Sequence, residues 1–324
     1  MAAGTLHDTA QRLAGLLTAP SGGLRDATAS DLVFEDDVTL RPLDRQPAPP
    51  EVWAVDGGQA LVADARCVQV FVTRAARVRF QGGACTLEDE GELRAHLLGN
   101  RAAREAAVAA MELDGLAADT SVDVNLLRDR WEWDAARRCV AEAEPGALVL
   151  IDGDLVPDWR IPSSLPTEVL ATAAGRGVTV AAVTKHSSLS RGGAPLLGQM
   201  ELEADATLGS RARWWAPVAR TTGDPTIRVV AAKLDPDARF AFRVDLPEAG
   251  DPLDALGRLA AVSDDAAFPG YPYPLAVADR LAACPGWLRA EAWLQLDDLL
   301  GQAGVPAAVR ERAFTDRHRL LERG

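Results

Sequence analysis

Along the 324 residues the spacing of apolar positions changes several times, and each change predicts a different element. Leu6, Leu13, Leu16 and Leu17 recur at helical intervals. They predict a largely helical segment over residues 5–33, broken at Pro20-Ser21-Gly22-Gly23. A proline-rich stretch, residues 45–50, leads from it into strands. Val52 to Gly58 is a short apolar run closed by glycines, while Cys67 to Thr73 and Ala76 to Gln81 alternate apolar with polar. Three such runs in succession predict an antiparallel meander. From Leu87 to Leu113 the chain is rich in alanine, with Leu93, Leu97, Ala102, Ala106 and Val108 between charges, which predicts a long helix. A second helix is expected over 124–143.

After Pro145-Gly146 the pattern becomes that of a buried parallel sheet. Ala147 to Leu155 is an apolar strand running into a turn, residues 166–174 form a helix stopped by Gly175-Arg176-Gly177, and Val178 to Val183 is the next apolar strand. A parallel crossover is the expected connection. Further strands are expected at 214–218, 227–234 and 240–244, and helices at 252–262, 275–283, 286–301 and 305–322. This order predicts an α/β fold with a mixed central sheet: three antiparallel strands, then strand–helix–strand units. Residues 1–50 form an N-terminal helical lead-in, 51–285 the main domain, and 286–324 C-terminal helices packed on the same domain.

Composition narrows the class. Apolar residues make up 48% and aromatics only 5%, so the core should be aliphatic. No stretch approaches the roughly 20 apolar residues of a membrane span. No basic region precedes an apolar run at the N-terminus, so a cytoplasmic protein without membrane contacts is expected. Cys67, Cys85, Cys139 and Cys284 are too scattered for a zinc site or a disulfide framework, and buried or half-buried thiols are expected. The net charge of −13 argues against wrapping nucleic acid by bulk electrostatics. It leaves room for a site in which metal ions or a partner supply the positive charge.

Two segments carry the chemistry. In Trp53-Ala54-Val55-Asp56-Gly57-Gly58 and in Leu148 to Leu155, which holds Asp152-Gly153-Asp154, an Asp ends an apolar run and a Gly follows. A carboxylate buried alone costs several kcal/mol, so a cation or hydrogen-bond donors should face it. Asp56 and Asp152 on neighbouring strands, with an acid from the intervening helices, would form the carboxylate cluster of ribonuclease-H-like nucleases. In those, two metal ions assist phosphodiester cleavage.

In this order the motifs resemble the NurA family of DNA repair nucleases, which act beside the HerA hexameric ATPase. The resemblance rests on Ala54 to Gly58, on Leu150 to Leu155, on Thr184-Lys185-His186-Ser187, and on Gly270-Tyr271-Pro272-Tyr273-Pro274-Leu275 through Asp279 to Ala282. It implies a Mn²⁺- or Mg²⁺-dependent 5′-to-3′ DNA exonuclease with single-strand endonuclease activity, acting in end resection as a homodimer docked on a HerA-like ATPase ring. It implies two ions held by Asp56, Asp152 and a helix glutamate. Glu105 is the expected glutamate and Glu112 its rival. Asp279 stands where many members carry His, and is the candidate fourth ligand. Lys185 could neutralise charge at the scissile phosphate. Tyr273, Arg191 and Arg211 are candidate substrate contacts. Of Trp214 and Trp215, adjacent in a strand, one should point outward as an interface anchor.

The alternative is a non-catalytic adaptor of the same fold that binds the ATPase without cutting DNA. A nucleotide-binding α/β protein lacks support, since neither G-x-G-x-x-G nor G-x-x-x-x-G-K-[ST] occurs.

Overall fold

A computed structural model describes residues 4–18, 22–27, 32–113, 115–156 and 158–315. In chain order the N-terminal part holds helix α1 (Leu6–Thr18) and short strands β1 (Leu24–Asp26), β2 (Leu32–Phe34) and β3 (Arg41–Pro42). Strands β4 (Glu51–Asp64), β5 (Gln69–Gln81), β6 (Ala84–Asp89) and β7 (Arg94–Leu98) follow, then helices α2 (Arg101–Ala110) and α3 (Val124–Glu142). The middle comprises β8 (Leu148–Asp152), α4 (Ser164–Arg176), β9 (Thr179–Thr184), β10 (Leu189–Arg191), β11 (Ala194–Pro195) and α5 (Leu196–Thr207). Strands β12 (Trp214–Thr221), β13 (Ile227–Lys233) and β14 (Phe242–Pro247) complete the sheet. Helices α6 (Pro252–Ala260), α7 (Tyr273–Ala282), α8 (Gly286–Gln302) and α9 (Ala307–Phe314) end the described chain.

The main sheet runs β2-β12-β13-β14-β9-β8-β4-β5-β6, with β3 beside β12 and β7 beside β5. Pairs β4/β8 and β8/β9 are parallel, and β4/β5, β5/β6 and β9/β14 antiparallel. The antiparallel β6-β5-β4 followed by parallel β8 and β9 is the ribonuclease-H-like mixed sheet expected. Alternation along the strands builds a core on each face. Trp53, Val55, Val149 and Ile151 pack against α3 and α4 on one face. Val52, Ala54, Leu148 and Leu150 pack against α6 and α7 on the other. Asp56 and Asp152 continue the second series, which places them on the α7 face.

Several expected elements differ. Cys67 to Thr73 and Ala76 to Gln81 are one strand, β5, of 13 residues. The strand over Val52 to Gly58 is not closed by its glycines: β4 runs on to Asp64, so Asp56 is internal to the strand. The long helix over 87–113 shrinks to α2, because its first half pairs with β5 as β6 and β7. That half holds a single alanine, Ala95, and its ladder bonds to β5 decide its conformation. Among the described residues of the segment 5–33, only α1 is helical. β1 joins a small sheet with β10 and β11, while β2 and β3 pair with β12, so the lead-in is not purely helical. Residues 316–324, and with them the end of the last expected helix, lie outside the described residues. Trp214 and Trp215 are both buried, on opposite faces, because the sheet is covered on both sides at β12. Neither is an outward anchor. Cys67 and Cys85 are exposed, Cys139 buried and Cys284 half-buried, all as free thiols.

No helix among the described residues is long and apolar enough to cross a membrane.

Candidate metal centre

Parallel pairing aligns Val55 with Ile151, so Asp56 and Asp152 are the next residue on each of two adjacent strands. Asp279 joins them from α7. Oxygens of Asp56, Asp152 and Asp279 lie within 4.8 Å of one another, a spacing that suits a shared cation. Lys185, one residue past β9, enters the same space. Its Nζ lies 2.7 Å from Asp152 Oδ2, 2.5 Å from Asp279 Oδ1 and 3.6 Å from Asp56 Oδ2. Thr184 fixes the approach of that lysine, since its hydroxyl donates to the Gly153 carbonyl at 2.6 Å and ties the end of β9 to the turn after Asp152.

Asp56 is the most deeply placed of the three acids, 6% exposed. Its Oδ1 accepts from the Gly57 N–H at 2.6 Å, and its buried Oδ2 has no hydrogen-bond partner. Lys185 at 3.6 Å is a charge contact with that oxygen, too long for a hydrogen bond. Burial pushes the Asp56 carboxyl up to about 9; Asp152 and Glu132 add to the rise and Lys185 opposes it. A buried, unpartnered carboxyl oxygen whose ionisation waits on more positive charge nearby has the donor chemistry a divalent cation requires. The carboxylates therefore fit such an ion.

Burial opposes the charge on Lys185, yet its contacts with Asp152, Asp279 and Asp56 hold its pKa above the usual lysine range. Tyr271 closes the site from the side of α7. Its hydroxyl donates to Asp152 Oδ1 at 3.4 Å, and its ring centroid is 5.4 Å from Lys185 Nζ. Burial and then the surrounding aspartates raise the Tyr271 phenol, keeping it a proton donor.

A fourth acid comes from the opposite face. Glu132 on α3 lies against Gly57, where a Cβ would stand 2.0 Å from its Oε1. Burial pushes Glu132 up to about 8, with Arg128 opposing and Asp129 and Asp152 adding. Arg128 Nε holds its Oε1 at 3.0 Å. The adjoining glycine has the same role on the other face: a Cβ at Gly58 would lie 1.8 Å from the carbonyl oxygen of Ala282 at the end of α7. The paired glycines thus let α3 bring Glu132, and α7 bring Asp279, close to Asp56.

The remaining sequence-expected residues are placed elsewhere. Glu105 is exposed on α2, 2.8 Å from Arg101, and Glu112 pairs with Arg130 at 3.3 Å. Neither belongs to the group of converging carboxylates. The α2 region is drawn to the β7 edge of the sheet, whereas α3 crosses beneath β4, so the helix glutamate that lies behind the strand aspartates is Glu132, against Gly57 and outside the group of three converging carboxylates. Tyr273 opens α7 and meets Phe80 edge-on at 5.9 Å; Tyr271, two residues earlier, is the tyrosine that faces the carboxylates. Arg191 pairs with Glu203 at 2.6 Å and Arg211 with Asp237 at 2.8 Å.

No family profile matches the chain, and no curated protein does. Among solved structures, the NurA nuclease from Sulfolobus solfataricus is similar with a TM-score of 0.59 and 16% identity, covering 92% of this chain and 95% of that one. A second structure described as NurA aligns at a TM-score of 0.45 and 8% identity, over 74% of this chain and 86% of that one. The catalytic domain of human endonuclease V aligns at 0.41 and 16% identity, over 82% of this chain and 92% of that one. The fold likeness rests on the Sulfolobus structure.

Proposed function

We propose that this chain, which has the fold of the NurA nuclease, is itself a divalent-metal-dependent nuclease acting on DNA. The observation that carries the reading is the convergence of Asp56, Asp152 and Asp279 within 4.8 Å on one face of the sheet. Asp56 and Asp152 would hold Mn²⁺ or Mg²⁺, with Asp279 as a further oxygen ligand. Glu132 replaces Glu105 in this reading as the helix glutamate. When bound, the metal lowers the pKa of a coordinated water and stabilises charge on a phosphodiester oxygen.

The protein's own groups do the rest. Lys185, one-third exposed, is placed to meet a phosphate at the mouth of the site. Tyr271 orients Asp152 through its hydroxyl and shields one side of the centre from water. Glu132, held by Arg128, is a further acid behind Asp56 whose ionisation a bound cation would favour. Tyr273, Arg191 and Arg211 remain proposed contacts for the strand further out, the two arginines exchanging their present ion pairs for phosphate.

The finer reading is a 5′-to-3′ exonuclease with single-strand endonuclease activity, working in end resection as a homodimer on a HerA-like ATPase. Two features support the assembly with a partner in that reading. A net charge of −13 suits an enzyme whose DNA is gripped by a partner. The exposed Trp287, Leu294 and Leu299 of α8 suit an assembly face. The same charge favours the non-catalytic adaptor as the second reading.

A degradation assay on single-stranded and plasmid DNA with Mn²⁺ separates the two. Cleavage by the wild type that falls at least about a hundredfold in Asp56→Ala is expected of the nuclease. Equal cleavage by both proteins removes the activity from this site, and no cleavage by either, with ATPase binding retained, favours the adaptor.

A further inference from the structure

Lys185 Nζ touches the same three residues that would hold the metal: Asp279 at 2.5 Å, Asp152 at 2.7 Å and Asp56 at 3.6 Å. An ammonium group has three donors and a single charge on a flexible stem. Here it meets two of the oxygens at hydrogen-bond distance and the third as a charge contact, and its single charge can offset no more than one carboxylate. A divalent ion needs those oxygens at about 2.0–2.6 Å and brings twice the charge. The two cations cannot share the spot, because ligand-to-cation distances of that order leave no room for a nitrogen among the same oxygens.

Lys185 is also free to leave. Its backbone is anchored by the neighbouring Thr184 hydroxyl on the Gly153 carbonyl, and its side chain is 33% exposed. Asp279, its shortest contact, is the most exposed of the three acids, at 56% of its side chain. A swing toward solvent would break contacts on the open side of the site first.

We propose that Lys185 is a built-in competitor for the metal: it holds the three aspartates together as an internal cation and must swing out before a divalent ion can bind. The proposal rests on the metal-site reading above. The lysine keeps the carboxylates gathered and partly neutralised, so the folded site exists before metal arrives, at the cost of weaker metal affinity. Once displaced, the same ammonium stands at the rim, where an incoming phosphate would meet it.

Calorimetric titration of the full-length protein with Mn²⁺, repeated on Lys185→Met, Lys185→Arg and Asp56→Asn, tests this. Lys185→Met should bind Mn²⁺ roughly tenfold more tightly than the wild type, the effect of removing one competing charge pair in a partly exposed site. Lys185→Arg, which keeps the charge, should stay close to the wild type, and Asp56→Asn should lose most of the binding. Thermal unfolding in EDTA gives a second readout: Lys185→Met should melt below the wild type and regain more on adding Mn²⁺. Unchanged or weaker binding by Lys185→Met, with binding still lost in Asp56→Asn, overturns the competitor and leaves the nuclease reading standing. Failure of both wild type and Lys185→Met to bind Mn²⁺ overturns both. Lys185→Arg binding as tightly as Lys185→Met also overturns the competitor, because charge would then not be the operative property.

Discussion

A Cβ placed on Gly58 would stand 1.8 Å from the Ala282 carbonyl oxygen and 2.7 Å from its carbon, so strand β4 and the end of helix α7 meet backbone to backbone. Arg74 secures the same contact. Its Nε donates to the Ala282 carbonyl at 3.1 Å, and the guanidinium also reaches the carbonyl of Ala283. Helix α7 carries Asp279, so the seating of this helix sets the position of one of the three acids.

Gly58→Ala should therefore both destabilise the fold and loosen the centre. Backbone cannot yield as a side-chain tip can, and about 1–3 kcal/mol is the expected loss, read by urea denaturation. Mn²⁺ affinity should fall in the same variant. A Gly58→Ala protein with wild-type stability would show that α7 does not need this close approach.

Gly57→Ala tests the other face. The new methyl would collide with the Glu132 carboxylate, whose Oε1 lies 2.0 Å from the Cβ position. Stability should drop and then recover in the Gly57→Ala/Glu132→Ala double variant, a non-additivity measurable by a double-mutant cycle. Metal-dependent activity should not recover with it, since the double variant lacks the glutamate. Additive stability losses would mean that Glu132 moves aside at no cost.

Stability of the metal-free protein should depend on pH in a set direction. The Asp56 carboxyl is pushed from 3.8 up to about 9 and that of Glu132 from 4.5 up to about 8, both chiefly by burial. Between the unfolded and folded values the native state binds more protons than the unfolded chain, so the stabilisation is full below about pH 4 and is lost as pH rises toward 8 to 9. In EDTA the melting temperature should fall across pH 5 to 9. Mn²⁺ should reduce the fall, and Asp56→Asn should flatten it. A melting temperature that rises over this interval in EDTA would contradict the burial assigned to these two acids.

Much of this arrangement is legible in the chain, and the parts that are not have physical causes. Leu148 to Asp152 and Val178 to Val183 show themselves as strands because both faces are buried and, apart from Thr179 and the closing Asp152, every residue is apolar. Asp56 and Asp152 stand out for the complementary reason, as acids directly continuing apolar runs. Glu132 does not stand out. It lies in Arg128-Asp129-Arg130-Trp131-Glu132-Trp133-Asp134, where charges surround the helix and nothing local marks the one that turns inward. Its burial follows from α3 crossing the sheet at Gly57, a long-range contact. Glu105, the glutamate the resemblance implies, sits on the exposed side of α2, whose buried Ala103 and Ala107 face the protein. Tyr271 and Tyr273 share a motif, and only the turn into α7 decides which of them meets Asp152. Strand β7 is hidden in the same way, since its pairing with β5 spans a longer stretch of chain, whereas β6 pairs with β5 across Gly82-Gly83, a local hairpin turn.

The most direct test of the shared centre is the anomalous scattering of crystals soaked in Mn²⁺. The account predicts a peak about 2.0–2.6 Å from carboxylate oxygens of both Asp56 and Asp152, with the Lys185 ammonium moved away from its present position. Manganese bound at either aspartate without the other, or only at a distant surface site while Lys185 stays in place, would contradict it.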